Sequence, residues 1–292
     1  SCLVGSEMCI RDRNKINTKT KWFYTGEAYR KQNKNYNAPI INQTGFEIFA
    51  SNDKIKDDKE IIQTSIEIFK KSKFKKGELN ISNIEIFNAL IDRLSLALRW
   101  KERIKRHFCR EAYFNQLLSK LSSDTDINFA EVEKDKKIAE KFRKQRPSTL
   151  YSGRALKDIL ERFDLKNFKE PRSIADKKSV KIIKNYLKIS CSIDNAPSTL
   201  NKFFKKNKLN LFISDDYFPV VKTINRKIKI NFSSNINRSL EYYSGMVFNI
   251  TVNKKGKKFS LISGGRYDGL LKNLGSKKNT TAVGAAIDMS LL

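Results

Sequence analysis

A glutamine, a glycine and a glutamate occupy alternate positions in the run INQTGFEIFA: Gln43, Gly45 and Glu47, interleaved with Phe46 and Ile48. In an extended strand this spacing turns the first three to one face and the two apolar residues to the other. Two later runs carry similar chemistry. RSLEYYSGMVF holds Arg238 and Tyr243, and GGRYDGLL holds Gly264, Gly265 and Tyr267. Together they supply a cation, an amide, a carboxylate and phenols, the donors and acceptors that a small ligand with opposite charges and a hydrogen-bonding ring would need. The glycine pair permits close backbone approach.

The same inventory excludes other chemistries. His107 is the single histidine, which rules out most Ser-His-Asp and Cys-His schemes. None of the four cysteines, Cys2, Cys9, Cys109 and Cys191, stands at the two-residue spacing of a zinc ribbon, so neither a metal nor another cofactor is expected. Cys109 and Cys191 read as reduced thiols packed like small apolar side chains. No run reaches the roughly 18 apolar residues of a membrane span, so the expected location is the cytoplasm.

The chain has 292 residues and a formal net charge of +28, from 59 basic and 31 acidic side chains. In many proteins this marks a nucleic-acid partner. Here the lysines are spread along the whole chain among Asn and Ile, a mix that an A/T-rich genome produces, and specific nucleic-acid binding is not expected. The first thirteen residues, SCLVGSEMCIRDR, lack the lysine and asparagine that fill the next twenty. They read as a non-native leader (1–13) before one core domain (14–292).

The elements that must position these residues follow from periodicity. WFYTGEAY and INQTGFEIFA read as strand, polar loop, strand. Asp57 to Lys71 places Ile61, Ile62, Ser65, Ile66 and Phe69 on one helical stripe, with acids first and lysines last. A strand near Leu79 to Ile81 leads to a helix from Ile84 to Leu98, and a charged helical region packed on the sheet is expected at about 100–205. LNLFIS, KIKINFS, GMVFNITV and KFSLIS read as strands. The predicted class is α+β, a mostly antiparallel sheet flanked by helices, with a helical insertion.

The order and spacing of FYTGEAYR with NQTGFEIFA, RSLEYYSGMVF and GGRYDGLL resemble the histidyl-tRNA synthetase family, across essentially residues 20 to 292. The resemblance implies a class II aminoacyl-tRNA synthetase-like core and a histidine pocket. In it Glu47 would accept from one imidazole nitrogen, Tyr243 would contact the other, and Tyr267 would wall the ring. Gln43 would lie near the amino acid backbone, Arg238 would meet the carboxylate, and Gly45 would keep the floor open between Gln43 and Glu47. Arg30 matches the arginine that grips the ATP α-phosphate, here a vestigial nucleotide contact. Arg266 and Asp268 read as a structural pair within the turn.

The departures matter as much. Synthetases of this class carry a second arginine in a pattern like GxxxGxER, to stabilise the charge developing as pyrophosphate leaves. Aligned on Gly284, VGAAIDMSLL puts Asp288 at the glycine, Ser290 at the acid and Leu291 at the arginine. The anticodon-binding domain of the ligases is expected to be absent, and the family's first helix and ammonium-contacting loop are not visible before Trp22, so the core reads as incomplete at its N-terminus. LEYYSGMVF and LALRWKERIKRHF resemble the non-catalytic regulatory subunits of ATP phosphoribosyltransferase. That likeness implies a role in histidine biosynthesis: a homodimer within a hetero-oligomer with the catalytic subunit, controlled by histidine. The alternatives are a truncated histidine-tRNA ligase and a basic RNA-binding module.

Overall fold

Alternation in the first two strand-like runs produces a pair of matched edges. In the computed structural model Thr20–Tyr29 (β1) and Ile40–Phe49 (β2) run antiparallel, with Trp22 opposite Glu47, Tyr24 opposite Gly45 and Gly26 opposite Gln43. The structure describes residues 18–29, 40–122, 129–144, 150–151, 154–167, 174–218, 228–236, 242–254, 256–274, 276 and 279–292.

Lys54–Lys71 (α1) follows β2. The Asp53 side chain accepts from the Lys56 N–H at 3.0 Å, Asp57 sits in the first turn and Lys70 and Lys71 in the last, so both helix ends carry favourable charge. Its stripe of Ile61, Ile62, Ser65, Ile66 and Phe69 is buried, as its periodicity predicts. Gly77–Asn83 (β3) and Ile84–Arg93 (α2) come next. The helix expected to run on to Leu98 stops at Arg93. Leu94 and Leu96, both buried, stand two residues apart, and one face can hold both only in an extended stretch.

The chain forms two compact units. The first contains the described residues up to Leu90 and from Asn185 onward; the second is Ile91–Lys184. The second unit is built from helices Leu98–Arg106 (α3), Glu111–Ser122 (α4), Phe129–Arg143 (α5), Leu156–Asn167 (α6) and most of Ile174–Tyr186 (α7), with a small hairpin of Leu150–Tyr151 (β4) and Arg154–Ala155 (β5). Its core holds Trp100, Ile104, Phe114, Leu117 and Leu118, and Phe108 packs edge-on against Phe114 with ring centroids 5.7 Å apart. Arg99 and Arg103 stack on the Trp100 ring at 5.4 and 5.3 Å, burying aliphatic stems while their charges stay on an aromatic face.

The first unit is built on an eight-stranded sheet among the described residues. Its remaining elements are Ser190–Ser192 (β6), helix Ala196–Lys206 (α8), Ile228–Ser233 (β7), Met246–Lys254 (β8), Lys257–Arg266 (β9), the short helix Leu270–Asn273 (α9) and Ala282–Asp288 (β10). The strand order is β1-β2-β10-β9-β8-β3-β7-β6, antiparallel at every pairing except β3 with β7. The α+β class and mostly antiparallel sheet expected from the sequence are what is seen. The strands expected at KIKINFS, GMVFNITV and KFSLIS are β7, β8 and β9.

LNLFIS, residues 209–214, is not a strand. The Asn201 side chain donates to the Ile213 carbonyl at 2.9 Å and accepts from the Ile213 N–H at 2.8 Å, satisfying the groups a ladder would have used. Phe212 is correspondingly left 75% exposed.

Register gives the sheet two unlike faces. One carries Ile48, Val283, Ile287, Ile262, Phe248 and Leu79, and from it Arg266 reaches α1. The other carries small and polar groups: Tyr24 on β1; Gln43, Gly45 and Glu47 on β2; Gly284, Ala286 and Asp288 on β10. The second face is the one whose side chains can serve a ligand.

Candidate functional site

The polar face is organised by close approaches that a side chain would block. Gly284 lies directly opposite Glu47, and a Cβ at 284 would overlap a Glu47 carboxyl oxygen. Glu47 thus lies across the backbone of β10, buried at 5% exposure. Its carboxyl accepts a hydrogen bond from the Tyr267 hydroxyl. Burial pushes the Glu47 carboxyl from the usual range up to about 8, against the opposing pull of the Tyr267 hydrogen bond. At pH 7 the group is a neutral acid. It can donate a proton to a hydrogen bond as well as accept one, and a basic ring nitrogen can meet either function.

Tyr267 is held on three sides. It packs edge-on against Phe49 at 6.4 Å and against Tyr242 at 5.8 Å, and its N–H donates to the Ala282 carbonyl at 2.8 Å. Tyr242 in turn lies 4.7 Å from Tyr243. Tyr243 is half-buried and lies against Gly265, where a Cβ would come within 2.8 Å of its ring. Gly265 in β9 therefore admits Tyr243 by lacking a side chain where its ring passes.

At the other end of the row, the Gln43 amide donates to the Tyr24 hydroxyl at 2.8 Å. The Tyr24 ring occupies the space beside Gly45, where a Cβ would overlap it. Gly45 was expected to leave the floor open; its missing side chain instead makes room for Tyr24. Sequence reasoning did not single out Tyr24, although alternation in WFYTGEAY places Trp22, Tyr24 and Gly26 on one face, and that face adjoins Gln43, Gly45 and Glu47 in the register.

Behind this face, Arg266 and Asp268 form the structural pair expected of them, at 2.9 Å. The larger contact was not legible in the sequence: Arg266 Nε and Nη2 both donate to Asp58 Oδ1 of α1, at 2.9 and 2.6 Å, and Nη2 also donates to the Lys54 carbonyl. Burial raises the Asp58 carboxyl to about 6, still low enough that the pair is ionised at pH 7. Asp268 accepts from the Ala282 N–H at 3.0 Å and meets Lys54 Nζ at 3.0 Å. This ionic brace fixes the turn that presents Tyr267.

Arg30 and Arg238, the two cations expected at the site, lie outside the described residues. Gln43, Gly45, Glu47, Tyr243 and Tyr267 all belong to one region, with Gln43, Glu47 and Tyr267 buried and Tyr243 beside them. Asp288 stands opposite Gln43 on β10, and its Oδ1 accepts from the Ser290 N–H at 3.0 Å. Leu291 is half-buried just beyond. The groups on view are an acid, an amide and phenols on one face of the sheet, each able to donate or accept hydrogen bonds. Among the described residues no cluster of three His, Cys, Asp or Glu could hold a metal ion, and no helix is long and apolar enough to cross a membrane.

Comparison with known proteins agrees with this architecture. The chain is 23% identical, over 97% of its length, to the ATP phosphoribosyltransferase regulatory subunit of Rhizobium rhizogenes, and spans 82% of that protein. A 65-residue stretch, 22% of the chain and 15% of the relative, is 45% identical to the histidine-tRNA ligase of Francisella tularensis subsp. novicida. Among solved structures, histidyl-tRNA synthetase from Nostoc sp. PCC 7120 superposes with a TM-score of 0.57 at 17% identity, covering 98% of this chain and 56% of that one. An ATP phosphoribosyltransferase regulatory subunit/histidyl-tRNA synthetase from Bacillus halodurans gives 0.52 at 16% identity, covering 99% and 60%. The sequence profile described as Histidyl-tRNA synthetase matches residues 9–164 and 151–292. That match spans well over half of the sequence, and the chain belongs to the histidyl-tRNA synthetase family.

Proposed function

We propose that this chain is a non-catalytic regulatory subunit of ATP phosphoribosyltransferase, acting in the cytoplasm with the catalytic subunit in the first step of histidine biosynthesis and conferring control by histidine. The observation that carries the reading is likeness over 97% of the chain to proteins named as that subunit. Histidine would lie on the polar face, its imidazole between Glu47, Tyr243 and Tyr267 and its backbone toward Gln43, with Arg238 on the carboxylate. Asp288 and Leu291, standing where the family's activating enzymes carry a glycine and an arginine, oppose use of ATP: one repels phosphate and the other cannot neutralise it. Control would come from histidine binding one assembled state more tightly than another.

Co-purification with a short ATP phosphoribosyltransferase catalytic subunit tests the reading, together with its activity with and without histidine. Complex formation and histidine-sensitive activity are expected; no complex and no effect would refute it. The second reading, a histidine-tRNA ligase, is favoured by the 45% identical stretch. It predicts histidine-dependent ATP/pyrophosphate exchange, for which Leu291 provides no cation.

A further inference from the structure

Asp288 introduces a carboxylate into a row that otherwise ends in small residues. The overlap that a Cβ at Gly284 would make with Glu47 fixes which face of β10 looks onto the polar side. The two-residue period of a strand then puts Ala286 and Asp288 on that same face, and the register sets Ala286 opposite Gly45 and Asp288 opposite Gln43. Directly opposed residues have Cβ atoms about 5 Å apart, so the Asp288 carboxylate and the Gln43 amide share one end of the row. Glu47 marks the other end, four residues and about 13 Å along the strand. Asp288 is half-buried, and its Oδ1 accepts the Ser290 N–H at 3.0 Å, which ties down the turn after β10. A carboxylate offers about four acceptor positions, so one that caps a turn can also accept from a ligand.

We propose that Asp288 accepts the α-ammonium group of the bound amino acid beside the Gln43 amide, making a free amine a requirement of the site. The inference rests on reading the polar face as a histidine pocket. A ligand whose ring lies at Glu47 and Tyr267 directs its amino acid end toward Gln43, and a carboxylate there attracts an ammonium and repels a phosphate. The position that opposes nucleotide binding thereby gains a use of its own.

The test separates this role from turn capping, because Asn caps such a turn as Asp does but carries no charge. The whole chain and its Asp288→Asn variant are titrated calorimetrically with histidine, with histamine, which keeps the ammonium but lacks the carboxylate, and with imidazolepropionate, which lacks the ammonium. The variant is expected to bind histidine and histamine about tenfold or more weakly, the scale of one charge-assisted hydrogen bond, and to bind imidazolepropionate at least as well as before. An unchanged affinity for histidine, or an equal loss for all three, overturns the proposal while leaving the pocket in place. If the unaltered chain binds none of the three, the reading of the pocket falls and this inference falls with it.

Discussion

Gly284 and Glu47 face each other across the β2–β10 ladder so closely that the glutamate carboxyl fills the space a side chain at 284 would need. The glycine is a requirement of the acid. Gly284→Ala should displace Glu47 from Tyr267, cost about 1–3 kcal/mol of stability as an overpacked core site does, and abolish histidine binding. Thermal unfolding and calorimetric titration of the same preparation check both effects; retention of wild-type affinity would show that Glu47 is not a ligand contact.

Glu47 should leave a signature in the pH dependence of folding. Its carboxyl titrates at about 8 in the folded protein and at the ordinary value of 4.5 when unfolded. Its contribution is therefore fully present below about 4.5 and is lost as pH rises through about 8. Between these limits the folded state holds a proton that the unfolded state has released, and stability falls by at most about 1.4 kcal/mol per pH unit. Glu47→Gln should flatten that slope, as denaturant unfolding from pH 6 to pH 8 would reveal.

The Arg266 brace should be a stability determinant and only indirectly a binding one. Arg266→Ala leaves the Asp58 carboxylate buried without its guanidinium, a loss of about 3–5 kcal/mol, and Tm should fall by on the order of 10 °C. Adding Asp58→Leu should restore much of it, since replacing a buried pair by apolar groups is often neutral. A double variant no more stable than the single one would argue against an isolated ionic brace.

Tyr186 offers a contrasting case. Its side chain is fully buried between Phe87 and Phe203, and its hydroxyl has no hydrogen-bond partner among the described residues. Burial without a partner pushes the phenol above its ordinary range. Removing a buried, unsatisfied hydroxyl recovers its desolvation cost. Tyr186→Phe should therefore leave Tm unchanged or raise it, by up to about 1–2 kcal/mol of stability.

Legibility followed the range of the interactions. Period-two alternation was visible in β2, β-branched and aromatic composition marked β7, β8 and β9, and the stripe of α1 was plain because one face of that helix is buried. The pair Arg266 and Asp268 could be read because two residues separate them. Asp58 could not: it meets Arg266 from 208 residues away, and no local pattern encodes which acid will be close. Tyr24 was missed because its role arises from the register between β1 and β2. LNLFIS has strand composition, yet one side-chain amide from Asn201 took over the backbone groups of Ile213. Leu94 and Leu96 broke a helix whose four-residue apolar repeat looked continuous.

The strand order has a temporal side. β2 has β1 on one edge, but its other neighbour is β10, so Phe49 waits for Ala282 and Gln43 for Asp288. Closing so long a loop is entropically costly before any contact rewards it. During synthesis the hairpin of β1 and β2 must present a bare strand edge, the kind that invites aggregation, until nearly all of this sequence has emerged from the ribosome. A histidine pocket spanning that seam, as proposed, would then be a checkpoint as well as a binding site: only a chain translated through β10 could be held closed by its ligand.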